Sequence, residues 1–168
     1  MNVSNPDTRR RVLKAAAGAL SLCALPHAAL AAPRRVEAFD AQSWKTLQAA
    51  VKKPTVVVFT ATWCAHCPAV FDQLARAIAQ RRLKADLVGV VMDRAPGEDD
   101  AALMANAHYR QTARLFAFDG QAARLRYGVD PQWRGVTPYI VVLAPGRPVR
   151  VKVGPPSEAD IVAWNKGR

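Results

Sequence analysis

Hydrophobic and polar positions follow two different periods along this chain, and both strands and helices can be predicted from them. Residues 55–60 and 87–92 are apolar, largely β-branched runs, which is typical of strands buried on both faces of a sheet. Between them, apolar residues recur every three or four positions from Cys64 to about Arg82, which predicts an amphipathic helix. Strand, helix and strand in this order predict a crossover unit with parallel strands.

Weaker patterns on both sides of this unit complete one domain. Residues 34–39 form a predicted strand, and Asp40 caps the helix that follows. At 168 residues, the chain is long enough for one domain with a core and too short for two. We therefore expect an α/β fold over residues 32–168, with a central mixed sheet flanked by helices. The other predicted elements are a loop over 93–100, a helix over 101–109, a strand over 115–118, a helix over 121–127 ended by Gly128, a hairpin of strands 139–143 and 149–153, and a terminal helix started by Ser157 and Asp160.

The first 31 residues have the order of an export signal. A charged region ending at Lys14 precedes an apolar stretch from Ala15 to Leu25, and Ala29-Leu30-Ala31 matches an A-x-A cleavage pattern. The uninterrupted apolar run is well short of the ~20 residues that span a membrane, which argues against the alternative of an uncleaved anchor. Residues 1–31 are therefore expected to be removed, leaving no stable membrane anchor.

Residues 8–14 also resemble the twin-arginine signal, with Thr8 where serine is usual and Val12 where phenylalanine is usual. That route carries folded proteins across the inner membrane, so the resemblance implies a bacterial periplasmic location. A general secretory signal with an additional arginine is the alternative.

The formal charge of the whole chain is +11, and the leader contributes four cations and one carboxylate, so the mature protein would carry +8. The basic residues are scattered, and no segment interleaves them with aromatic residues as a nucleic-acid platform does. The charge therefore indicates a solvated basic surface, and no nucleic-acid partner is expected.

The cysteines point to chemistry at one place. Cys23 follows Leu22, which is too large for the position before a lipidated cysteine, so Cys23 leaves with the leader and the mature chain keeps Cys64 and Cys67. Two cysteines separated by two residues at a helix start can close a small disulfide ring, and unpaired helix N–H groups favour a thiolate. We expect Cys64 to be the exposed nucleophile and Cys67, one turn inside, to resolve the mixed disulfide.

Two other uses of this cysteine pair fit less well. A structural zinc ion needs about four ligands, and the mature chain adds only His66 and His108 to the two cysteines, so no metal or other cofactor is expected. A purely structural disulfide across so few residues closes a very short loop and gains little stability. His66 lies between the cysteines, where its imidazole would stabilise the Cys64 thiolate, unless it is an ordinary solvated histidine.

The segment Val57–Pro68 resembles the strand and active-site turn of the thioredoxin superfamily, and Gly135–Tyr139 resembles its second mark, the cis-proline loop. The resemblance implies that Pro138 is a cis-proline lying against the cysteines and that the backbone of Thr137 binds an extended substrate segment. Without the cysteine pair, Thr137-Pro138 would be interpreted as an ordinary trans turn. The piece between Met92 and Gly135 resembles the inserted helix and strand of the TlpA and ResA type of periplasmic thioredoxins.

Two positions depart from the family pattern. Val58 occupies the place of a buried aspartate that assists proton transfer in thioredoxin, and Val70 replaces an acidic residue of some ResA-like proteins. Proton handling would then fall to solvent or to His66, which argues against efficient reductase behaviour. Ala65-His66 is closer to the dipeptides of DsbA and disulfide isomerase, and we expect Trp63 and His66 to tune the redox site.

The first hypothesis is an exported thiol–disulfide oxidoreductase that exchanges disulfides with protein thiols and with a membrane or periplasmic redox partner. The resemblance implies roles such as cytochrome c maturation or disulfide repair, and the direction of electron flow stays open. The alternative is a non-catalytic thioredoxin-fold module that binds a partner or chaperone client. Copper delivery is disfavoured because such proteins usually space their cysteines by three residues, and His108 is the only distant histidine available as a ligand.

Overall fold

The computed structural model describes residues 32–166, and the predicted leader over residues 1–31 lies outside them. The strands of this part are β1 (Val36–Phe39), β2 (Thr55–Thr60), β3 (Asp86–Val91), β4 (Arg114–Phe118), β5 (Tyr139–Leu143) and β6 (Arg150–Val153). The helices are α1 (Ser43–Ala49), α2 (Cys67–Ala79), α3 (Asp100–Ala105), α4 (Ala122–Val129) and α5 (Glu158–Lys166), with a 3₁₀ turn over Tyr109–Gln111.

The strands form one mixed sheet in the order β1-β4-β3-β2-β5-β6. β2 pairs in parallel with β3 and antiparallel with β5, so the two buried runs of the sequence lie side by side near the middle of the sheet. β6 follows β5 as the second strand of the predicted hairpin. The prediction of an α/β fold with a central mixed sheet is confirmed.

Alternate side chains of β2 enter two separate cores, one on each face of the sheet. Val56 and Val58 pack in the core that α2 and α5 cover, whereas Val57 and Phe59 pack in the core under α1 and α4. All four side chains have no exposed surface. Burial on both faces explains why the strand has an unbroken apolar sequence instead of an alternating one.

The helix α2 is shorter at both ends than its apolar pattern predicts. Cys64 lies in a turn before α2, where its N–H donates to the Ala61 carbonyl, and the first helical residue is Cys67. At the other end Arg81 has a φ of 56°, in the left-handed region, and the N–H of Arg82 turns back to the Ala77 carbonyl. Arg81 and Arg82 therefore lie beyond the helix, not in its last turn.

Two further boundaries differ from the prediction. The helix predicted over 101–109 ends at Ala105, because the Asn106 side chain accepts a hydrogen bond from the His108 N–H and holds an Asx turn. Gly128 does not end its helix, which continues to Val129. The helix stops before Pro131, which disfavours the helical conformation at Asp130.

The terminal helix is capped as predicted by Ser157 and Asp160. The Asp160 carboxylate accepts hydrogen bonds from the Ser157 hydroxyl and N–H at 2.7 Å each, and the Asp160 N–H donates to the Ser157 hydroxyl at 3.1 Å. Lys152 of β6 pairs with the same carboxylate at 2.9 Å. The Ser157 hydrogen bonds, followed by the one from Lys152, lower the pKa of Asp160 to about 2.

We expect Asp160→Ala to lower the free energy of unfolding at neutral pH by about 1 kcal/mol, the usual cost of losing a helix cap. The folded pKa lies below the usual value of 3.8. The carboxylate therefore contributes its full stabilisation above that value, and this contribution is lost as pH falls toward about 2. Urea titrations at pH 7, 4 and 2.5 measure the effect, with Asp119→Ala as a control at an exposed carboxylate. A cost independent of pH would contradict the assignment.

Candidate active site

Cys64 and Cys67 lie at the C-terminal end of the central strand. Their sulfur atoms are 2.01 Å apart in a disulfide, with the Cα atoms 5.5 Å apart. The turn that carries them runs from the last residue of β2 to the first turn of α2, where the Cys67 N–H donates to the Cys64 carbonyl at 3.3 Å. Pro68 follows in the first helical turn, where the missing N–H costs no intrahelical hydrogen bond.

The two sulfur-bearing residues differ only slightly in exposure, although their neighbours are open to solvent. Cys64 is 7% exposed and Cys67 is 1% exposed, so Cys64 is the more accessible of the pair. The prediction that Cys64 is exposed is nevertheless wrong for the disulfide form, in which both cysteines are buried. Trp63 is 69% exposed, and Ala65 and His66 are exposed as well. A partner that approaches the disulfide therefore meets Trp63 and His66 first.

An open cavity adjoins the disulfide and has a volume of about 240 Å³. One wall is the cysteine turn and the first turn of α2, and the opposite wall is the segment that follows β3, including α3 and the 3₁₀ turn. Both cysteines line it, and the polar or charged side chains around it are those of Thr62, Arg94, Asp99, Asn106, His108 and Tyr109. The inserted segment thus forms half of the site.

Asp93 connects the inserted segment directly to the cysteine turn. Its carboxylate accepts the Thr62 N–H at 2.9 Å and the Thr62 hydroxyl at 2.5 Å, two residues before Cys64. Arg94 donates to the Asp93 carbonyl at 2.7 Å and to the Asp99 carboxylate at 2.8 Å. Residues 93–100 are predicted only as a loop, although the position of Asp93 just past a buried strand was a usable signal.

The network around Arg94 sets the charge beside the disulfide. The Arg94 guanidinium lies 3.4 Å from the Asp93 carboxylate and 2.8 Å from the Asp99 carboxylate. The hydrogen bond to Asp99 raises the pKa of Arg94 above its usual value. Glu98 adds a third negative charge to this segment. In this segment three carboxylates stand against one guanidinium, so its net charge is negative. Negative charge near a cysteine disfavours its thiolate.

Among the described residues, the buried polar side chains are those of Thr55, Thr60 and Thr112, so no buried carboxylate in the core below the cysteines packs against the Val58 side chain. This side chain is fully buried, and its neighbours in the sheet are Gly89 and Ile140. Val70 is buried in the same core. The cavity wall instead presents Tyr109, and burial raises the pKa of its phenol, although a hydrogen bond with Thr60 acts in the opposite direction.

His108 lies across the cavity from the cysteines and pairs with an acidic residue. Its Nδ1 is 3.3 Å from Asp72 of α2, and the Gln111 side-chain amide donates to the same carboxylate at 2.6 Å. Both hydrogen bonds lower the pKa of Asp72, and the one from Gln111 has the larger effect. Within residues 32–166 there is no group of three or more His, Cys, Asp or Glu side chains that could hold a metal ion.

The Thr137–Pro138 peptide bond is cis, and it lies at the same edge of the sheet as the cysteine turn. Phe59 of β2 is opposite Tyr139 of β5, so continuing this register places Pro138 beside Thr60. Val136 is 56% exposed, and within the described part of the chain neither the N–H nor the carbonyl of Thr137 has a hydrogen bond. The loop therefore offers a free backbone segment close to the cysteine turn.

An aromatic cluster supports this loop from below. Trp133 stacks on Tyr139 with ring centroids 4.2 Å apart, and the Trp133 indole N–H donates to the Val136 carbonyl at 3.0 Å. The Tyr139 hydroxyl donates to the Asp130 carboxylate. This hydrogen bond is the largest cause of the lowered pKa of Asp130, whereas burial is the largest cause of the raised pKa of Tyr139.

We expect Asp93→Asn to shift the reduction potential of the Cys64–Cys67 pair upward by about 10 to 30 mV. Asparagine keeps an oxygen for the Thr62 N–H but removes a negative charge, so the thiolate and the reduced form become more stable. Equilibration with glutathione buffers measures the potential, and Asp119→Asn is the control for loss of a distant surface charge. An unchanged or lower potential in Asp93→Asn would show that Asp93 has no electrostatic effect on the cysteines.

No family model and no curated protein sequence match this chain. Among solved structures, the N-terminal domain of PilB from Neisseria gonorrhoeae matches with a TM-score of 0.53 and 18% identity, over 72% of this chain and 80% of that one. The reduced N-terminal domain of PilB from N. meningitidis matches with a TM-score of 0.51 and 21% identity, over 71% and 84%.

A secreted Mycobacterium tuberculosis disulfide oxidoreductase, described as homologous to E. coli DsbE, matches with a TM-score of 0.49 and 16% identity, over 71% of this chain and 85% of that one. In the described part of this chain, no helix is both long and apolar enough to cross a membrane. The two PilB domains are similar to this chain along most of the sheet and helices described above. The chain therefore has the thioredoxin-like fold, with its C-x-x-C pair at disulfide distance.

Proposed function

We propose that this chain is an exported thiol–disulfide oxidoreductase that acts on protein cysteines, with Cys64 as nucleophile and Cys67 as resolving cysteine. The observation that carries the proposal is the placement of the disulfide. It joins the two cysteines at the C-terminal end of the central strand, beside an open cavity and beside the free backbone of Thr137. A structural disulfide needs neither the cavity nor the free backbone.

The exchange balances as two displacements at sulfur. In the reducing direction, the Cys64 thiolate attacks one sulfur of a substrate disulfide, forms a mixed disulfide and releases the first substrate thiolate. Cys67, deprotonated, then attacks the Cys64 sulfur, closes the Cys64–Cys67 disulfide and releases the second substrate thiolate. The substrate gains two electrons and the protein loses two, and the oxidising direction is the reverse.

Substrate binding is assigned to the loop before Pro138. The N–H and carbonyl of Thr137 can pair with an extended client segment, as an added strand pairs with a sheet edge. The exposed side chains of Trp63 and Val136 lie on the two loops that meet at this edge, and each provides apolar surface for the residues next to a client cysteine. Such a site holds a short extended peptide.

Redox tuning is assigned to opposing groups around the disulfide. His66, at the helix N-cap, and Trp63 flank Cys64 on the exposed side, and a protonated imidazole there would favour the thiolate. Asp93 and Asp99 on the cavity side act against it. Because the core around Val58 lacks a carboxylate, proton exchange with Cys67 is assigned to water in the cavity.

Export rests on the leader pattern of residues 1–31, and the proposed location is the bacterial periplasm. An oxidising compartment suits a chain whose mature cysteines are all in one redox pair. The physiological partners would be exported proteins with cysteine pairs, in cytochrome c maturation or disulfide repair, and a membrane or periplasmic protein that exchanges electrons with this one.

Equilibration of the purified domain with glutathione buffers tests whether the pair is redox-active and in which direction. A potential near about −120 mV would identify an oxidant, and one below about −270 mV a reductase. We expect Cys64→Ser to abolish exchange with a model peptide disulfide, because the remaining thiol of Cys67 is almost fully buried. Full exchange activity in Cys64→Ser would refute the nucleophile assignment.

A non-catalytic binding module is the second candidate, favoured only by the free Thr137 edge. Thiol trapping in cells separates the two, because Cys67→Ala leaves a mixed disulfide unresolved. The oxidoreductase predicts covalent complexes in Cys67→Ala that a reducing agent dissolves and that a Cys64→Ser, Cys67→Ala double variant lacks. Equal capture by the double variant would support the binding module.

A further inference from the structure

The Nε atom of Arg126, in α4, is buried and has no hydrogen-bond partner. It is the one such side-chain nitrogen or oxygen in the described part of the chain. No ion pair among the described residues includes Arg126 either. A guanidinium with a buried, unpaired N–H is costly, since the group loses water and receives no acceptor in return. Among the described residues, nothing therefore supplies an acceptor to this guanidinium.

The Arg126 guanidinium packs against the loop that leads to the cis-proline. A Cβ atom placed on Gly135 would be 3.3 Å from both Nε and Cζ of Arg126. Gly135 also has a φ of 88°, a conformation that side chains rarely adopt, so glycine lets the arginine lie directly on the loop backbone. Arg126 therefore contacts the loop at Gly135, two residues before Thr137, which is the residue assigned to bind the client backbone.

The surroundings of this loop favour an anion. Arg134, next to Gly135, is exposed and uses its guanidinium for the Pro131 carbonyl at 3.3 Å, not for a carboxylate. The acidic residue of this region is Asp130, whose carboxylate accepts hydrogen bonds from the Tyr139 hydroxyl and the Gln132 N–H. None of the ion pairs among the described residues joins this carboxylate to Arg126. Arg126 and Arg134 therefore both lie beside Gly135, at the start of the loop that leads to Thr137, and no ion pair among the described residues includes either of them.

We propose that Arg126 selects client segments that have an acidic side chain within a few residues of the reacting cysteine. The inference rests on the proposed oxidoreductase function and names its substrate class, an extended cysteine-containing segment with a nearby carboxylate. The carboxylate would accept hydrogen bonds from the guanidinium while the client backbone pairs with Thr137. Because Arg126 is only partly exposed, the pair would be less screened than one at an open surface.

The test uses short synthetic peptides with one cysteine activated as a mixed disulfide with 2-nitro-5-thiobenzoate. Three peptides differ at one position two residues from the cysteine, which holds Glu, Gln or Lys. Each reaction with the reduced protein consumes the two thiols of the protein and releases the peptide thiol and the chromogenic thiol. The second-order rate constants are measured in low salt and in 0.5 M salt, where the Debye length is about 4 Å.

We expect the Glu peptide to react about fivefold faster than the Gln peptide, and the Lys peptide to react more slowly than both, with the differences reduced in high salt. Arg126→Gln should remove the preference for Glu, so that the Glu and Gln peptides react at equal rates with the variant. Arg124→Gln, an exposed arginine on the same helix, should keep the preference. Arg126→Glu should favour the Lys peptide.

Equal rates for the three peptides with the wild-type protein would overturn the inference and leave the oxidoreductase function standing. Absence of exchange with every peptide would instead refute the proposed function itself. A variant Arg126→Gln that slows all three peptides alike would show that the arginine only supports the loop, which also contradicts the inference. The charge series and the salt series with the wild-type protein decide the matter even where a variant folds poorly.

Discussion

β2 pairs in the antiparallel direction with β5, and Phe59 lies opposite Tyr139. The last residues of β2 and the first residues of β5 therefore meet at one edge of the sheet. The cysteine turn leaves from the first strand at this edge, and the cis-proline loop enters the second. Both strands are buried, so a shift of one residue would move every side chain to the opposite core. This fixed register keeps Thr137 close to the cysteines.

In the proposed function, the groups around the disulfide would act in opposite directions on its redox potential. His66 lies on the solvent side, whereas Asp93 and Asp99 lie on the cavity side, with Arg94 between these two carboxylates. A change of about 1.4 kcal/mol in the free energy of the reduced form relative to the oxidised form moves the reduction potential by about 30 mV. The direction of electron flow in the proposed function would therefore depend on a few partly exposed charges and not on the fold.

The central part of the fold was predictable from the sequence because both-face burial requires long apolar runs, and β2 and β3 lie within one residue of the expected positions. The helix break at Asn106 was not predictable from periodicity, since it depends on a side chain that bonds the backbone two residues later. Cys64 and Cys67 were evident from their spacing. Asp93 was indicated only by its position just past a buried strand, since its contact with Thr62 spans 31 residues of sequence. Arg126 was not predictable, because its position beside the cis-proline loop depends on packing against Gly135.

The structure of a trapped mixed disulfide would test the central claim most directly. A Cys67→Ala protein joined to a cysteine-containing peptide is a stable form of the proposed intermediate. We expect a disulfide between Cys64 and the peptide, with the peptide backbone hydrogen-bonded to the N–H and carbonyl of Thr137. A peptide bound away from this loop, or with no covalent bond to Cys64, would contradict it.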